Sequence, residues 1–525
     1  MASSRRSSDR PRGPRRGASA TPPAEPAREP GTDTLVEAAA SALPAELPGR
    51  RWFGAKTRAI VGVTALDHTA VPGTAGVLAL FRVDFAEGEP ATYSVPLLPG
   101  EGGAGAVDAL ADGRFSLALV EQMRAGAALR GRAGEFRFRA TPALAEILPE
   151  PPAEASPMSA EQSNTSVVVG GRAFLKLFRR LEPGPNPDVE TTDFLTRETS
   201  FRAAPRVGGS IEYVPDAPGG LGGAAPSEPP AAPAIEPTSL AVLQEFMPNQ
   251  GDLWTAVLAR LGEYYATATA GSNGHPPDPA FARALAAADA KEARALGAIT
   301  GRLHAALASA VPPAPLAPVP IDAEALRDWE AAMLERIDHV ASALSRALDT
   351  LPGDVRDLAR RALDAAPRLR EQPAALRPLA EEGVVRIRVH GDYHLGQVLR
   401  TERGLAIVDF EGEPARPVHA RRAPDCALRD VAGMLRSFSY ATAGSRLLRG
   451  HEPAEDWEQR ARERFLDGYN SAVDRNLLPP GQQATDQLLS VFELEKAVYE
   501  LRYELNHRPD WVGIPVAGIA RLLES

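Results

Sequence analysis

The chain has 525 residues, 44% hydrophobic and 24% charged, which is too long for one compact core and describes a soluble protein of two or three domains. A formal net charge of -10 excludes broad nucleic-acid binding, and no apolar run approaches the length that spans a bilayer, so no membrane partner is expected. A single cysteine, Cys426, excludes an internal disulfide. With no apolar segment behind the basic N-terminus, no signal peptide is expected, and a cytoplasmic protein is.

Residues 1–33 read as a disordered basic tail, whose first thirty residues carry seven Arg against three acidic residues in a Pro/Ser/Gly setting. "TLVEAAASA" (34–42) predicts a short helix. Four segments, 77–85, 91–98, 114–123 and 135–141, then alternate in part between apolar and polar residues. They predict a small antiparallel sheet with one buried face. The Pro-rich "LPEPPAEASP" (148–157) reads as a linker closing a domain over 34–150.

A second unit spans 158–248. "TSVVVGG" and "AFLKLFRRL" predict a hairpin turning at Gly170-Gly171, and "NPDVETTDFLTRE" predicts a helix. "SIEYVP" and "LAVLQEFMP" add two strands around a Pro/Gly/Ala-rich stretch, 215–238, that reads as a flexible surface loop. From 249 to 525 the chain is mostly helical. A mostly β lobe joined by a short connector to a helical lobe is the outline of a bilobal, protein-kinase-like α+β fold.

"RIRVHGDYHLGQVLRTERGLAIVDFEGEP" (386–414) interrupts the helical part with two short strands around a loop. Phosphoryl transfer to a hydroxyl needs an aspartate to accept the hydroxyl proton, oxygen ligands for Mg²⁺, and a lysine on the phosphates of ATP. Asp392 follows His390-Gly391, Gln397 lies five residues on, and "LAIVDF" delivers Asp409. The order matches H-x-D-x-x-x-x-N followed by strand-D-F-G, with Gln397 for Asn and Glu411 for the final Gly. Asp392 is the candidate catalytic base, and Gln397 and Asp409 are the candidate metal ligands. His390 and His394 are expected to brace the loop.

The nucleotide partners are sought upstream. Lys176, apolar on both sides in "AFLKLF", suits the phosphate-binding lysine, and Glu190 on the following helix is its expected ion-pair partner. No G-x-G-x-x-G covers the nucleotide. Ser163, Asn164, Thr165 and Ser166 are the candidates to contact phosphates, and Glu245 and Met247 of "LQEFMP" to present hinge backbone groups to adenine.

With these residues in place, the chain resembles the aminoglycoside-phosphotransferase-like kinases, and among them the actinobacterial maltokinases. The resemblance is carried by "RWFGAKTR" (51–58), "EQSNTSVVVGGRAFLKLFRRLEPGPNPDVE" (161–190), "LQEFMPNQGDLW" (243–254), "HGDYHLGQVLRT" (390–401), "VDFEGEPARP" (408–417), "LRDVAGMLRSFSYA" (428–441) and "ELEKAVYELRYELNHRPDWVGIP" (493–515). It implies an ATP- and Mg²⁺-dependent enzyme that phosphorylates maltose at its anomeric hydroxyl, giving maltose 1-phosphate for α-glucan (glycogen) synthesis. It also implies an N-terminal α+β cap domain over 34–150 and makes a trehalose synthase partner plausible from the pathway. This chain departs from the family in reading "RWFGAKTR" where "RWFAGKGR" is expected, and in its long 215–238 loop and basic tail.

The acceptor site is sought on the helix around 488–507. Val491, Leu494, Val498, Leu501 and Leu505 form one stripe; Lys496, Tyr499, Tyr503 and Asn506 form another, about 140° away around the helix. Aromatic rings with ammonium and amide donors suit a sugar, although the tyrosines equally suit packing against a neighbouring helix. Arg421 and Glu500 are further substrate candidates. Two alternatives stay open: another small-molecule kinase of this fold, acting on a different sugar, an amino alcohol or an aminoglycoside, and an inactive pseudokinase scaffold.

Overall fold

The computed structural model describes residues 31–100, 105–158, 163–217, 221, 236–270, 279–371, 374, 384–414, 416–449 and 455–524. The basic tail up to residue 30 and most of the 215–238 loop lie outside the described residues.

Helix α1 (Thr32–Glu46) buries Leu35, Val36, Ala39 and Leu43 against a six-stranded antiparallel sheet. Five of its strands are β1 (Ile60–Ala70), β2 (Val77–Phe85), β3 (Ala91–Ser94), β4 (Leu97–Pro99) and β5 (Ala106–Asp108). The expected strand over 114–123 is instead α2 (Gly113–Ala125). Its apolar residues alternate only loosely, whereas Phe115, Leu119, Val120 and Met123 share one helical face and are buried there. The Asp112 side chain caps its N-terminus by accepting from Arg114 N–H, and Gly126 closes it in the left-handed region at φ 61°.

A second antiparallel sheet has seven strands in the order β6-β7-β12-β13-β10-β9-β8. They are β6 (Ala128–Arg130), β7 (Gly134–Ala140), β8 (Ala155–Pro157), β9 (Asn164–Val169), β10 (Ala173–Phe178), β12 (Val207–Pro215) and β13 (Thr238–Glu245). The hairpin turns at Gly170 and Gly171 as expected, both left-handed (φ 57° and 63°), and β10 runs between β9 and β13. The Pro-rich 148–157 segment is not merely a linker. It follows the one-turn helix α3 (Leu144–Ile147), and its end, β8, pairs with β9.

The two sheets exchange strands. β7, from before residue 150, pairs with β12, while β11 (Arg180–Leu181), which follows β10, pairs with β3 of the first sheet. One apolar core holds Leu78, Leu80, Phe115 and Met123 together with Val167, Leu175, Leu177 and Leu243, so packing is continuous across residue 150. Asp67 ties the units further: buried at 1% exposure, it accepts from Arg132 N–H (2.6 Å), Ala133 N–H (3.0 Å), His68 N–H (2.8 Å) and Tyr213 O–H (2.8 Å).

Between β10 and β12 lies α4 (Pro187–Glu198), begun by the Asn186 side chain accepting from Asp188 N–H and by Pro187 at its first position. After β13 comes the helical lobe: α5 (Leu253–Ala270), α6 (Pro279–Leu307), α7 (Ala323–Ala347), α8 (Gly353–Asp364), α9 (Ala366–Leu369), α10 (Val418–Arg422), α11 (Leu428–Arg449), α12 (Glu455–Asn470), α13 (Gln482–His507) and α14 (Gly513–Glu524). α6 and α12 approach to backbone contact: a Cβ on Gly297 would lie 1.9 Å from the Phe465 carbonyl. A small sheet of β14 (Asn249–Asp252), β17 (Val398–Thr401) and β18 (Gly404–Ile407), with the pair β15 (Val319–Pro320) and β16 (Val385–Arg386), carries the loops of the 386–414 segment. The architecture is a kinase-like α+β fold, mixed antiparallel sheet followed by helices. No helix among the described residues is long and apolar enough to cross a membrane.

Asp67→Ala leaves several buried donors without an acceptor, each costing about 1–3 kcal/mol. The expected outcome is a urea unfolding midpoint well below wild type, read by circular dichroism, whereas a surface Asp→Ala change leaves it in place.

Candidate active site

Lys176 sits in the central strand β10, 6% exposed, with its Nζ 2.8 Å from Asp409 Oδ1, 2.6 Å from Glu411 Oε1 and 3.3 Å from Asp188 Oδ2. Burial works against the charge, but Asp409, Glu411 and Asp188 outweigh it and hold the ammonium well above its ordinary value. Burial likewise opposes ionisation of Asp409, yet Lys176 keeps that carboxyl below the usual range. Glu411 moves upward, through burial and the neighbouring carboxylates Asp409 and Asp188.

The expected pair of Lys176 with Glu190 is not formed. Two residues on a helix differ by about 200°, so when Asp188 turns inward to Lys176, Glu190 points elsewhere. Glu190 instead accepts from Arg388 (2.6 Å) and from Arg422 (3.0 Å), tying α4 to the segment between β16 and Asp392 and to α10. Asp188 was the missed residue. It also accepts from Phe410 N–H (3.3 Å) and from Gln244 Nε2 (3.4 Å).

Asp409 is the one described non-glycine residue with positive φ, 66°, a strained conformation that tertiary contacts hold in place. Those contacts are Lys176 on one carboxylate oxygen and Gln397 Nε2 on the other, at 3.1 Å. Phe410 is buried beneath, its ring 4.9 Å from that of His390. His390 Nε2 meets the Val408 carbonyl at 3.0 Å, and Gly391 lies so close to Gly412 that a Cβ would sit 3.3 Å from its Cα. The loops carrying Asp392 and Asp409 are therefore packed together, with His390 in contact with both Val408 and Phe410. His394 Nδ1 accepts from Gly396 N–H at 3.0 Å, stiffening the same loop.

Sequence reasoning also missed what lies beneath. Asp430, at the start of α11 and 2% exposed, accepts from the N–H groups of His390 (2.8 Å) and Gly391 (2.9 Å), and from His304 Nε2 (3.1 Å) on α6. No local pattern marks it; only the packing of α6 and α11 under the loop reveals it.

Asp392 Oδ1 accepts from Lys496 Nζ at 3.0 Å, so α13 does present its Lys496 face to this site. Val491, Leu494, Val498 and Leu501 are buried on the other face, as the spacing predicted. Burial disfavours the Asp392 carboxylate, but Lys496, and after it His394, hold it below its ordinary value. Lys496 stands 4.8 Å over the Tyr499 ring, and both line a small cavity with Gly391, Tyr393 and Glu413.

Other expected residues lie elsewhere. Arg421 reaches the Glu411 carbonyl (3.0 Å) and Glu182 (2.8 Å), bracing the turn after Asp409 rather than facing an acceptor. Glu500 is held by Arg436 at 2.7 Å, and Tyr503 stacks on His507 at 4.4 Å. The Asn506 side chain lies outside those described.

On the nucleotide side, Asn164 Nδ2 donates to Glu411 (2.8 Å), and Ser166 lies opposite Lys176 in the strand pair, fully buried. Thr165 faces away and accepts from Arg179 (2.8 Å), while Ser163 is exposed beside residues 159–162, which lie outside the described set. At the connector, the Glu245 N–H is spent on the Arg206 carbonyl (2.8 Å) and its side chain on Arg206, and the Met247 carbonyl accepts from Asn249 (3.0 Å).

A buried lysine meeting a strained aspartate between a sheet lobe and a helical lobe, with a second aspartate beside it, defines a kinase-like phosphotransferase site. Residues 154–413 match the model of the phosphotransferase enzyme family. A glucosamine kinase of Streptacidiphilus jiangxiensis is 30% identical over 472 residues, covering 84% of this chain and 93% of that protein. A glucosamine kinase of Mycolicibacterium smegmatis is 28% identical over 376 residues, covering 70% of this chain and 79% of that protein. The solved structure of a glucosamine kinase in complex with glucosamine, ADP and inorganic phosphate shares the fold, with a TM-score of 0.64, 24% identity, and coverage of 94% of this chain and 99% of that one. The chain belongs to the phosphotransferase enzyme family, and its class is that of the small-molecule kinases.

Because Glu190 neutralises Arg388 rather than Lys176, Glu190→Ala is expected to cost stability, about 3–5 kcal/mol for a broken buried pair, while leaving nucleotide affinity near wild type. Asp188→Asn is expected to do the reverse. Thermal unfolding together with titration of a fluorescent ATP analogue separates the two.

Proposed function

We propose that this protein is an ATP-dependent sugar kinase that transfers the γ-phosphoryl group to a sugar hydroxyl, with an amino sugar of the glucosamine type as acceptor. The observation that carries the reading is the meeting of Lys176 with Asp409 at 2.8 Å, with the Asp392 loop packed against the turn that follows Asp409. Asp392 accepts the hydroxyl proton as the oxygen attacks in line, and its depressed value keeps it ionised for that role. Lys176 leaves its carboxylate partners to meet the phosphates.

The donor set suits Mg²⁺. Asp188, Asp409 and Glu411 offer carboxylate oxygens all within 4.8 Å of one another, and Gln397, whose Nε2 donates to Asp409 at 3.1 Å, would turn its amide oxygen to the ion. These residues would hold the ion, which when bound offsets charge on the phosphates.

Two relatives named glucosamine kinases support the amino-sugar acceptor. Maltose phosphorylated at its anomeric hydroxyl is the second reading, and the trehalose synthase partner goes with it. It is favoured by Lys496 and Tyr499 at Asp392, donors and a ring that suit a neutral sugar. Retention of the whole set of charged residues disfavours a pseudokinase.

A panel of glucosamine, glucose, maltose and an aminoglycoside incubated with Mg·ATP, with products read by ³¹P NMR, tests both readings. One phosphorylated sugar is expected, and Asp392→Asn is expected to lower its rate by about 10²–10⁴-fold with nucleotide affinity kept. No sugar phosphate with any acceptor would refute the assignment.

The pH dependence follows from Lys496. A base held below its ordinary value stays ionised as pH falls, so wild-type turnover persists into acid. Lys496→Met removes the nearest cation, and the acid limb of the rate profile at saturating substrates is expected to move to higher pH.

A further inference from the structure

The "RWF" segment is remote from the reacting groups, yet its Trp52 meets Arg179, the residue that follows the strand carrying Lys176. Arg179 follows β10 by one residue and is 1% exposed. Its Nε donates to Thr165 Oγ1 (2.8 Å) on β9, and its Nη2 to Asp108 Oδ2 (2.6 Å), at the end of β5 in the first sheet. Its guanidinium lies 4.7 Å over the Trp52 ring, which in turn packs beside Phe53 and Tyr93. The Arg179 carbonyl accepts from Ser94 N–H (2.8 Å), where the chain crosses to pair with β3.

Arg179 thus cross-links the start of β9 to the end of β10, at the last rung of their ladder, Asn164 opposite Phe178. Side chains alternate along these strands. Thr165 and Arg179 face the first sheet, whereas Asn164, Ser166 and Lys176 face the carboxylates. Any shift of this rung moves Asn164 and Lys176 together. The guanidinium is buried, and Asp108 is the carboxylate that compensates it, so its place is dictated by the N-terminal sheet.

We propose that Trp52, Asp108 and Arg179 form a positioning device through which the N-terminal sheet sets the phosphate-binding face of β9–β10, so that this sheet controls nucleotide affinity and not sugar affinity. The inference rests on the kinase reading, which places the nucleotide at Lys176. A ring and a carboxylate from one unit clamp an arginine of the other, three residues beyond the phosphate-binding lysine.

The test is steady-state kinetics on the full chain with Asp108→Asn, Asp108→Glu and Trp52→Leu. For Asp108→Asn and Trp52→Leu, the KM for ATP is expected to rise about tenfold, the effect of losing about 1.4 kcal/mol of binding, with the sugar KM unchanged. Asp108→Glu, which restores the charge, is expected to recover most of the affinity. A merely structural role would lower the melting temperature without splitting the two constants. An unchanged ATP KM in the folded variants, or parallel changes in both constants, would overturn the proposal. Should Asp108→Asn not fold, Trp52→Leu, which keeps the ion pair, decides alone. Wild-type protein that neither binds Mg·ATP nor turns over would count against the kinase reading instead.

Discussion

A lysine ammonium buried between two lobes is the constraint on which the site depends. Lys176 comes from a central strand of the sheet lobe, Asp188 from a helix beside it, and Asp409 and Glu411 from a turn in the helical lobe more than two hundred residues on. A single charge removed from water costs several kcal/mol unless it is paired, and no one of these elements supplies enough compensation. The charge takes its partners from both lobes. The same arrangement leaves three carboxylates around one cation, an excess of negative charge that suits a divalent ion.

The rest of the site is built to hold that meeting in place. Asp409 occupies a backbone region that costs about 1–3 kcal/mol for a residue other than glycine, and bonds to both of its carboxylate oxygens keep it there. The neighbouring loop takes its shape from below, where Asp430 binds two consecutive backbone N–H groups and is itself oriented by His304. Asp392 projects from this fixed backbone toward Lys496 on a helix near the C-terminus. Its ionisation is set by a residue 104 positions away in the chain.

The N-terminal region is less separate than composition implies. Strands cross between the two sheets, and one apolar core underlies both. A Pro-rich stretch reads as a linker because proline removes hydrogen-bond donors, yet its last residues form an edge strand, where proline is tolerated. The helix over 113–125 reads as a strand because short apolar runs carry both periods. What closes its ends is the Asp112 side chain at one terminus and the left-handed Gly126 at the other.

Part of the convergence was legible in the chain. Residue type and order singled out Lys176, Gln397 and Asp409, which the fold brings together, and Asp392 on the loop packed beside them. The buried face of the 482–507 helix was equally plain, since helical spacing follows from backbone geometry. Which acidic residue meets Lys176 was not. Asp188 and Glu190 are equivalent in sequence, and only the rotation of α4 against β10 decided between them. Arg421 and Glu500 shared the same ambiguity, and their side chains pair with Glu182 and Arg436. Local order is encoded in neighbouring residues, but the direction a side chain finally faces depends on the elements packed against it, and those come from everywhere in the chain.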